Sequence, residues 1–133
     1  MNAPLIGARI ERKEDYRFLT GAGQYTDDVT LPGQTHAVFV RSPHAHAAIK
    51  SIGKDKALKA PGVLAVFTGE DLKVGGLPCG WLITDVNGQP MKEPPHPCLA
   101  QGKVRYVGDQ VAIVVAESND QARDAAELVE VDY

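Results

Sequence analysis

The clearest periodicity lies between residues 103 and 133, KVRYVGDQVAIVVAESNDQARDAAELVEVDY. Residues 111–116 are apolar without a break and rich in β-branched side chains, the pattern of a strand covered on both faces. Ser118 follows, with Gln121 three residues on. That is a capping box, in which the hydroxyl accepts a first-turn N–H and Gln121 reaches back to the Ser118 N–H. Asp120 adds negative charge at the helix end where the dipole favours it. Ala122, Ala125, Ala126 and Val129 recur at helical spacing, a narrow stripe that lets a helix lie close to a sheet, while Glu127, Glu130 and Asp132 face water. Residues 129–133 alternate apolar and acidic, which suits a half-buried strand. The segment predicts strand, tight hairpin turn at Gly108-Asp109, strand, helix, strand.

The rest of the chain is less regular. Residues 1–10 lack periodicity and read as an extended arm. ERKEDYRFL (11–19) predicts a short helix stopped by Gly21. The loop 21–28 carries a G-x-G at Gly21 and Gly23, but Thr26 stands where a third glycine belongs and no strand precedes it, so a dinucleotide fingerprint is rejected. THAVFVR (35–41) predicts a strand ended by Ser42-Pro43, and 44–52 resume as a strand. Residues 54–60 predict one or two helical turns with Ala57 and Leu58 inward, 63–68 a strand, and 69–72 a helical turn. Glycines and prolines break every period in 73–97, which predicts an irregular loop. Such a stretch in a small domain serves function, a partner contact or motion. Trp81 and Leu82 within it need a surface to cover, or else Trp81 closes the core from one side. Strands mixed with two or three short helices, without strict βαβ alternation, indicate an α+β class.

The chain has 133 residues, which fits one domain spanning 1–133 and large enough to bury roughly two-thirds of its unfolded surface. Fourteen basic against seventeen acidic residues leave a net charge of −3, which gives no electrostatic reason for a nucleic-acid or anionic-membrane partner. The two cysteines, Cys79 and Cys98, form no C-x-x-C pair. No secretory signal and no membrane-spanning run is visible, so a cytoplasmic protein is expected.

Candidate chemistry is sparse. His44 and His46, at i and i+2, would point the same way on a strand and share a metal, with His36 and His96 free to join through the fold. The commoner reading is histidines near a strand end. Asp27 and Asp28 diverge as neighbours and suit bonding to local backbone N–H groups. Asp15 with Arg12 or Arg17 makes a surface ion pair. Nothing beside Cys98 lowers its pKa, and no serine sits in a nucleophile elbow. Gly108-Asp109 exposes backbone where a ligand could touch. No catalytic, cofactor-binding or metal-ligating residue is assigned.

Five segments in register carry a resemblance: RKEDYRFLTGAGQYTDD (12–28), LPG (31–33), VRSPHAHAAIKSI (40–52), PGVLAVFTGEDL (61–72) and VRYVGDQVAIVVAESNDQARDAAELVEVDY (104–133). In this order the chain resembles the N-terminal α/β-hammerhead domain of the molybdenum-binding large subunit of the xanthine dehydrogenase/aldehyde oxidase family, nearest the carbon-monoxide-dehydrogenase type. Gly53 departs from an acidic residue often found there, and 73–97 do not align. The resemblance implies an α/β-hammerhead with a mixed sheet. It implies a parent oxidoreductase that hydroxylates aldehydes or N-heterocycles, or oxidises carbon monoxide. The parent's molybdopterin, commonly the cytosine dinucleotide form, would lie outside this chain, with 2Fe-2S clusters and FAD on other subunits or domains. The implied partners are the rest of the large subunit and the iron–sulfur and FAD subunits. The isolated residues would be inactive, end where a hammerhead domain ends, and self-associate through a bared interface. The alternative is a free-standing protein- or ligand-binding module that uses 73–97.

Overall fold

The apolar run at 111–116 becomes the middle strand of the largest sheet. In the computed structural model, which describes residues 6–72 and 74–133, the chain divides into two units, Met1–Gln34 and Thr35–Tyr133.

The first unit, taken by itself, is built from turns. Helix α1 (Asp15–Leu19) is shorter than the helix expected over 11–19, because Glu14 makes no capping bond and only one turn closes. Arg12 and Asp15 form the expected exposed ion pair, at 3.7 Å. The Thr20 hydroxyl donates to the Tyr16 carbonyl at 2.8 Å at the other end. Phe18 stacks on Tyr25 with ring centroids 5.1 Å apart, and a side chain at Gly23 would strike the Phe18 ring. The second glycine of the G-x-G therefore makes room for an aromatic pair. The Tyr25 N–H donates to Asp28 Oδ2 at 2.8 Å over a 3₁₀ turn, Thr26–Asp28, so Asp28 acts as the local backbone acceptor expected of it. Of the arm expected over 1–10, residues 1–5 lie outside the described residues, and 6–10 are exposed without helix or strand.

The second unit runs β1 (His36–Arg41), β2 (Ala47–Ala48), β3 (Ser51–Gly53), α2 (Asp55–Leu58), β4 (Val63–Thr68), β5 (Lys103–Val104), β6 (Gln110–Ala116), α3 (Asn119–Glu127) and β7 (Glu130–Asp132). The α+β class is as expected. The sheet content is divided among three ladders, β1-β6-β4, β2-β5 and β3-β7, and every pair described is antiparallel. Among the described residues no helix is long and apolar enough to cross a membrane.

Period-two geometry decides which side of the large sheet is core. Val38, Val114 and Val66 stand side by side in register, as do Val40, Ala112 and Thr68. This face meets α2 through Ala57, α3 through Ala125, and the turn after α3 through Val129. The small Ala122 and Ala125 are fully buried, which brings α3 close to the sheet as the stripe predicts. A second cluster, Ala100, Val104 and Val111, shares Val40, Ile52 and Val131 with the first.

Four local expectations change. Leu58, expected inward beside Ala57, is exposed, and only Ala57 of α2 is buried. The strand expected over 44–52 splits into β2 and β3, which pair with different strands. Gly108-Asp109 is not a hairpin turn, because β5 pairs with β2 and β6 with β1 and β4. The turn instead hands the chain from one ladder to another. Strand β6 is not covered on both faces, since Ile113 and Val115 are only partly buried.

Ser118 caps α3, its hydroxyl oxygen accepting the Gln121 N–H at 3.3 Å. The reciprocal bond differs from a capping box: Gln121 Oε1 accepts the Ser118 hydroxyl at 3.0 Å. Ser118→Ala is expected to cost about 1 kcal/mol in a urea melt. No change in midpoint would mean that the cap carries no stability.

A second clasp closes the end of β4. Asp71 Oδ2 accepts from Lys54 Nζ at 2.7 Å and from the Thr68 N–H and hydroxyl, each at 2.8 Å. The Lys54 bond first, then the Thr68 bonds, lower its pKa from 3.8 to about 2. A lowered carboxylate pKa stabilises the fold above the unfolded value and loses that contribution as pH falls through the folded one. Asp71→Asn should therefore be less stable than wild type at pH 7. Denaturant melts should show the difference vanish between pH 3.8 and about 2. A gap that persists unchanged to pH 2 would assign the effect to packing instead.

Candidate functional site

The irregular segment expected over 73–97 folds back on itself and walls a groove (Lys73 lies outside the described residues). The Leu77 N–H donates to the His96 carbonyl at 2.7 Å, and Gly76 lies so close that a Cβ there would come 2.8 Å from the same oxygen. Further out, the Met91 N–H donates to Ile83 at 3.0 Å and the Asp85 N–H to Gln89 at 2.9 Å. The Asp85 carboxylate accepts the N–H groups of Gln89 and Asn87, which hold its pKa below the ordinary value. Gly88 completes this tip with φ 77°. Asn-Gly at 87–88 is a strong local hairpin signal, and here it closes the tip.

The opposite wall is the stretch 105–109. Asp109 is buried, and its Oδ2 accepts the Arg105 N–H at 2.9 Å. The Ser42 N–H donates to the Asp109 carbonyl, and the Gly108 N–H to the Ser42 carbonyl, both at 2.8 Å. Arg41 adds a bond from its guanidinium to the Gly108 carbonyl at 2.9 Å. These long-range bonds lock the wall to the end of β1.

The groove between them has a volume of about 490 Å³ and is lined by Leu77, Pro78, Cys79, residues 91–97, Ala100, Arg105, Tyr106 and Asp109. That volume suits a small-molecule site, which is normally mostly apolar with few polar groups. His96 meets the Tyr106 ring edge-on at 6.3 Å. The charged lining residues, Lys92, Glu93, Arg105 and Asp109, are of mixed sign. Glu93 accepts the Cys79 N–H at 2.8 Å, and Asp109 is engaged by Arg105. The surface can therefore hold or guide an apolar molecule, while its carboxylates already serve the backbone.

The sequence candidates are not brought together. His44 and His46 lie in the bend between β1 and β2, so the strand geometry that would align them is missing. His44 packs edge-on against Tyr133 at 4.7 Å, while His36 sits in β1 and His96 lines the groove. Among the described residues no three of His, Cys, Asp or Glu converge as metal ligands. Cys98 is half-buried and Cys79 exposed. Trp81 is 80% exposed and does not close the core.

Two short helices, α2 and α3, against small antiparallel ladders, with one long groove-forming loop, define an α+β hammerhead domain. The family model for the "aldehyde oxidase and xanthine dehydrogenase, a/b hammerhead domain" matches residues 20–133, and the chain belongs to this family. It is 47% identical over 129 residues to the carbon monoxide dehydrogenase large chain of Afipia carboxidovorans, covering 96% of this chain and 15% of that one. It is 43% identical over 125 residues to the nicotine 6-hydroxylase large subunit of Paenarthrobacter nicotinovorans, covering 94% and 15%. The crystal structure of quinoline 2-oxidoreductase from Pseudomonas putida 86 superposes with a TM-score of 0.79 at 42% identity, over 96% of this chain and 16% of that one. The chain thus spans about 15% of the length of these curated relatives.

Proposed function

We propose that residues 1–133 serve as one hammerhead domain of a cytoplasmic molybdenum hydroxylase, a scaffold without chemistry of its own. It packs against the cofactor-binding part of the large subunit and against an iron–sulfur subunit, and its groove walls part of the substrate's approach. A flavin subunit completes the assembly. The observation that carries this reading is 47% identity over 129 residues to a large chain of which those residues make up only 15%. The described residues do not fit as holders of a molybdopterin. A phosphate-bearing pterin calls for clustered cations or free backbone N–H groups, and the groove offers charges of mixed sign that are partly engaged. In this reading the pterin, in its cytosine dinucleotide form, rests on other parts of the parent. The parent oxidises an aldehyde, an N-heterocycle or carbon monoxide.

The direct test grafts this chain in place of the matching segment of the A. carboxidovorans large chain. An assembled, molybdenum-bearing enzyme supports the scaffold role, and a graft that never assembles counts against it. The isolated chain should bind no molybdenum and reduce no dye with an aldehyde. Turnover by the isolated chain would sink the proposal.

Trp81 favours one second reading, a free-standing module that anchors a protein or ligand through 73–97, because an exposed tryptophan is a common interface anchor. Its fluorescence should show the red-shifted emission of a water-exposed indole. A blue shift on adding the iron–sulfur subunit of the A. carboxidovorans enzyme would assign Trp81 to the scaffold interface instead.

A further inference from the structure

The large sheet has two faces, and only one is occupied within Thr35–Tyr133. Register places Phe39, Ile113 and Phe67 side by side on the face away from α2 and α3, with Ala37, Val115 and Ala65 in the next row. Phe39 is 41% exposed and Phe67 40%, and Ile113 and Val115 between them are only half-buried. Strand β6 makes no polar concession on this side, although a sheet face left in water normally alternates to polar residues. Arg41 lies over the Phe39 ring with its Cζ 5.7 Å from the centroid, and it donates to the Gly108 carbonyl. Its other N–H groups have no carboxylate partner among the described residues.

We infer that the Phe39–Ile113–Phe67 face is the seat on which the remainder of a large subunit docks, through an apolar surface with an oxygen acceptor opposite Arg41. This rests on the scaffold reading above and names the surface that reading requires. Two observations choose this occupant over a second copy of the chain. At ordinary strand spacing and rise, three strands of six or seven residues present only about 300 Å². A stable pair of separate chains needs about 800 Å² from each partner. A segment of the same polypeptide is held at high effective concentration and needs far less. The relatives supply such a segment, since this chain accounts for only 15% of the A. carboxidovorans large chain.

The test uses the grafted large chain. Phe39→Glu and Phe67→Glu should each lower the yield of protease-resistant, assembled subunit at least tenfold. Leu58→Glu, on an exposed residue of α2, should lower it less than twofold. Equal losses at all three positions would overturn the inference. Hydroxyl-radical labelling of the unsubstituted graft gives a reading that no misfolded variant can confuse. A bare face predicts a drop of about 2.5-fold at Phe39 and Phe67 from urea-unfolded to native graft, from their 41% and 40% exposure. A covered face predicts at least tenfold, and the smaller drop in an assembled graft would refute the docking. Failure of the unsubstituted graft to assemble overturns the scaffold reading itself, and this inference with it. A micromolar dimer of the 133-residue chain that Phe67→Glu abolishes would give the face to a second copy and overturn the inference alone.

Discussion

Val114→Asp is expected to leave no folded chain at 25 °C, whereas Val115→Asp, one residue along the same strand, is expected to keep the fold. Val114 is fully buried between Val38 and Val66 and faces the helices. The substitution forfeits the burial of a valine, about 1.5–3 kcal/mol. It also places an unpaired carboxylate in the core, at several kcal/mol more. A small domain has about 5–15 kcal/mol in total to lose. Val115 points to the open face, where water reaches the new charge. The same chemistry thus meets opposite solvents within one peptide unit, because successive side chains on a strand point to opposite faces. Far-UV circular dichroism and urea melts of both variants make the comparison. A cooperative Val114→Asp melt within 2 kcal/mol of wild type would contradict the core assignment, using the same scale.

Asp109→Ala is expected to cost about 2 kcal/mol and to loosen the groove, while Asp109→Asn recovers most of the loss. The carboxylate is buried and accepts the Arg105 N–H at 2.9 Å. Hydrogen bonds to a charged group contribute about 1.5–3 kcal/mol net. Alanine leaves the Arg105 N–H without this partner and frees the turn that presents Tyr106. Asparagine keeps an acceptor oxygen at the same reach. Urea melts measure the stability, and hydrogen exchange over 103–109 measures the loosening. Unchanged exchange in the alanine variant would show that the wall is held by the Ser42 and Arg41 bonds alone.

The groove was partly legible in the residues. Its walls were visible as the irregular stretch 73–97 and the Gly108-Asp109 turn. Their apposition was not, because Ser42 and Arg41, far away in sequence, fix the 105–109 wall, and His96 meets Tyr106 only once the chain has folded back. The histidines show the converse. His44 and His46 have the spacing of a ligand pair, yet the chain bends there and His44 turns to Tyr133. Spacing predicts alignment only inside a regular element, and a Ser42-Pro43 stop two residues earlier removes it.

Sequence alone settled what depends on near neighbours. The Ser118 cap, the alanine stripe of α3, the β4 strand and the α+β class follow from periodicity and local hydrogen bonding, which act over a few residues. The five segments in register also pointed to the family that the match over 20–133 then showed. Tertiary structure alone decided which strands pair, which face of β6 meets the helices, and which face stays open. An unbroken apolar strand looks the same whether its second face meets its own chain or something else. The difference lies in the partners across it, and Phe39 and Phe67 reach Ile113 only through strand pairing.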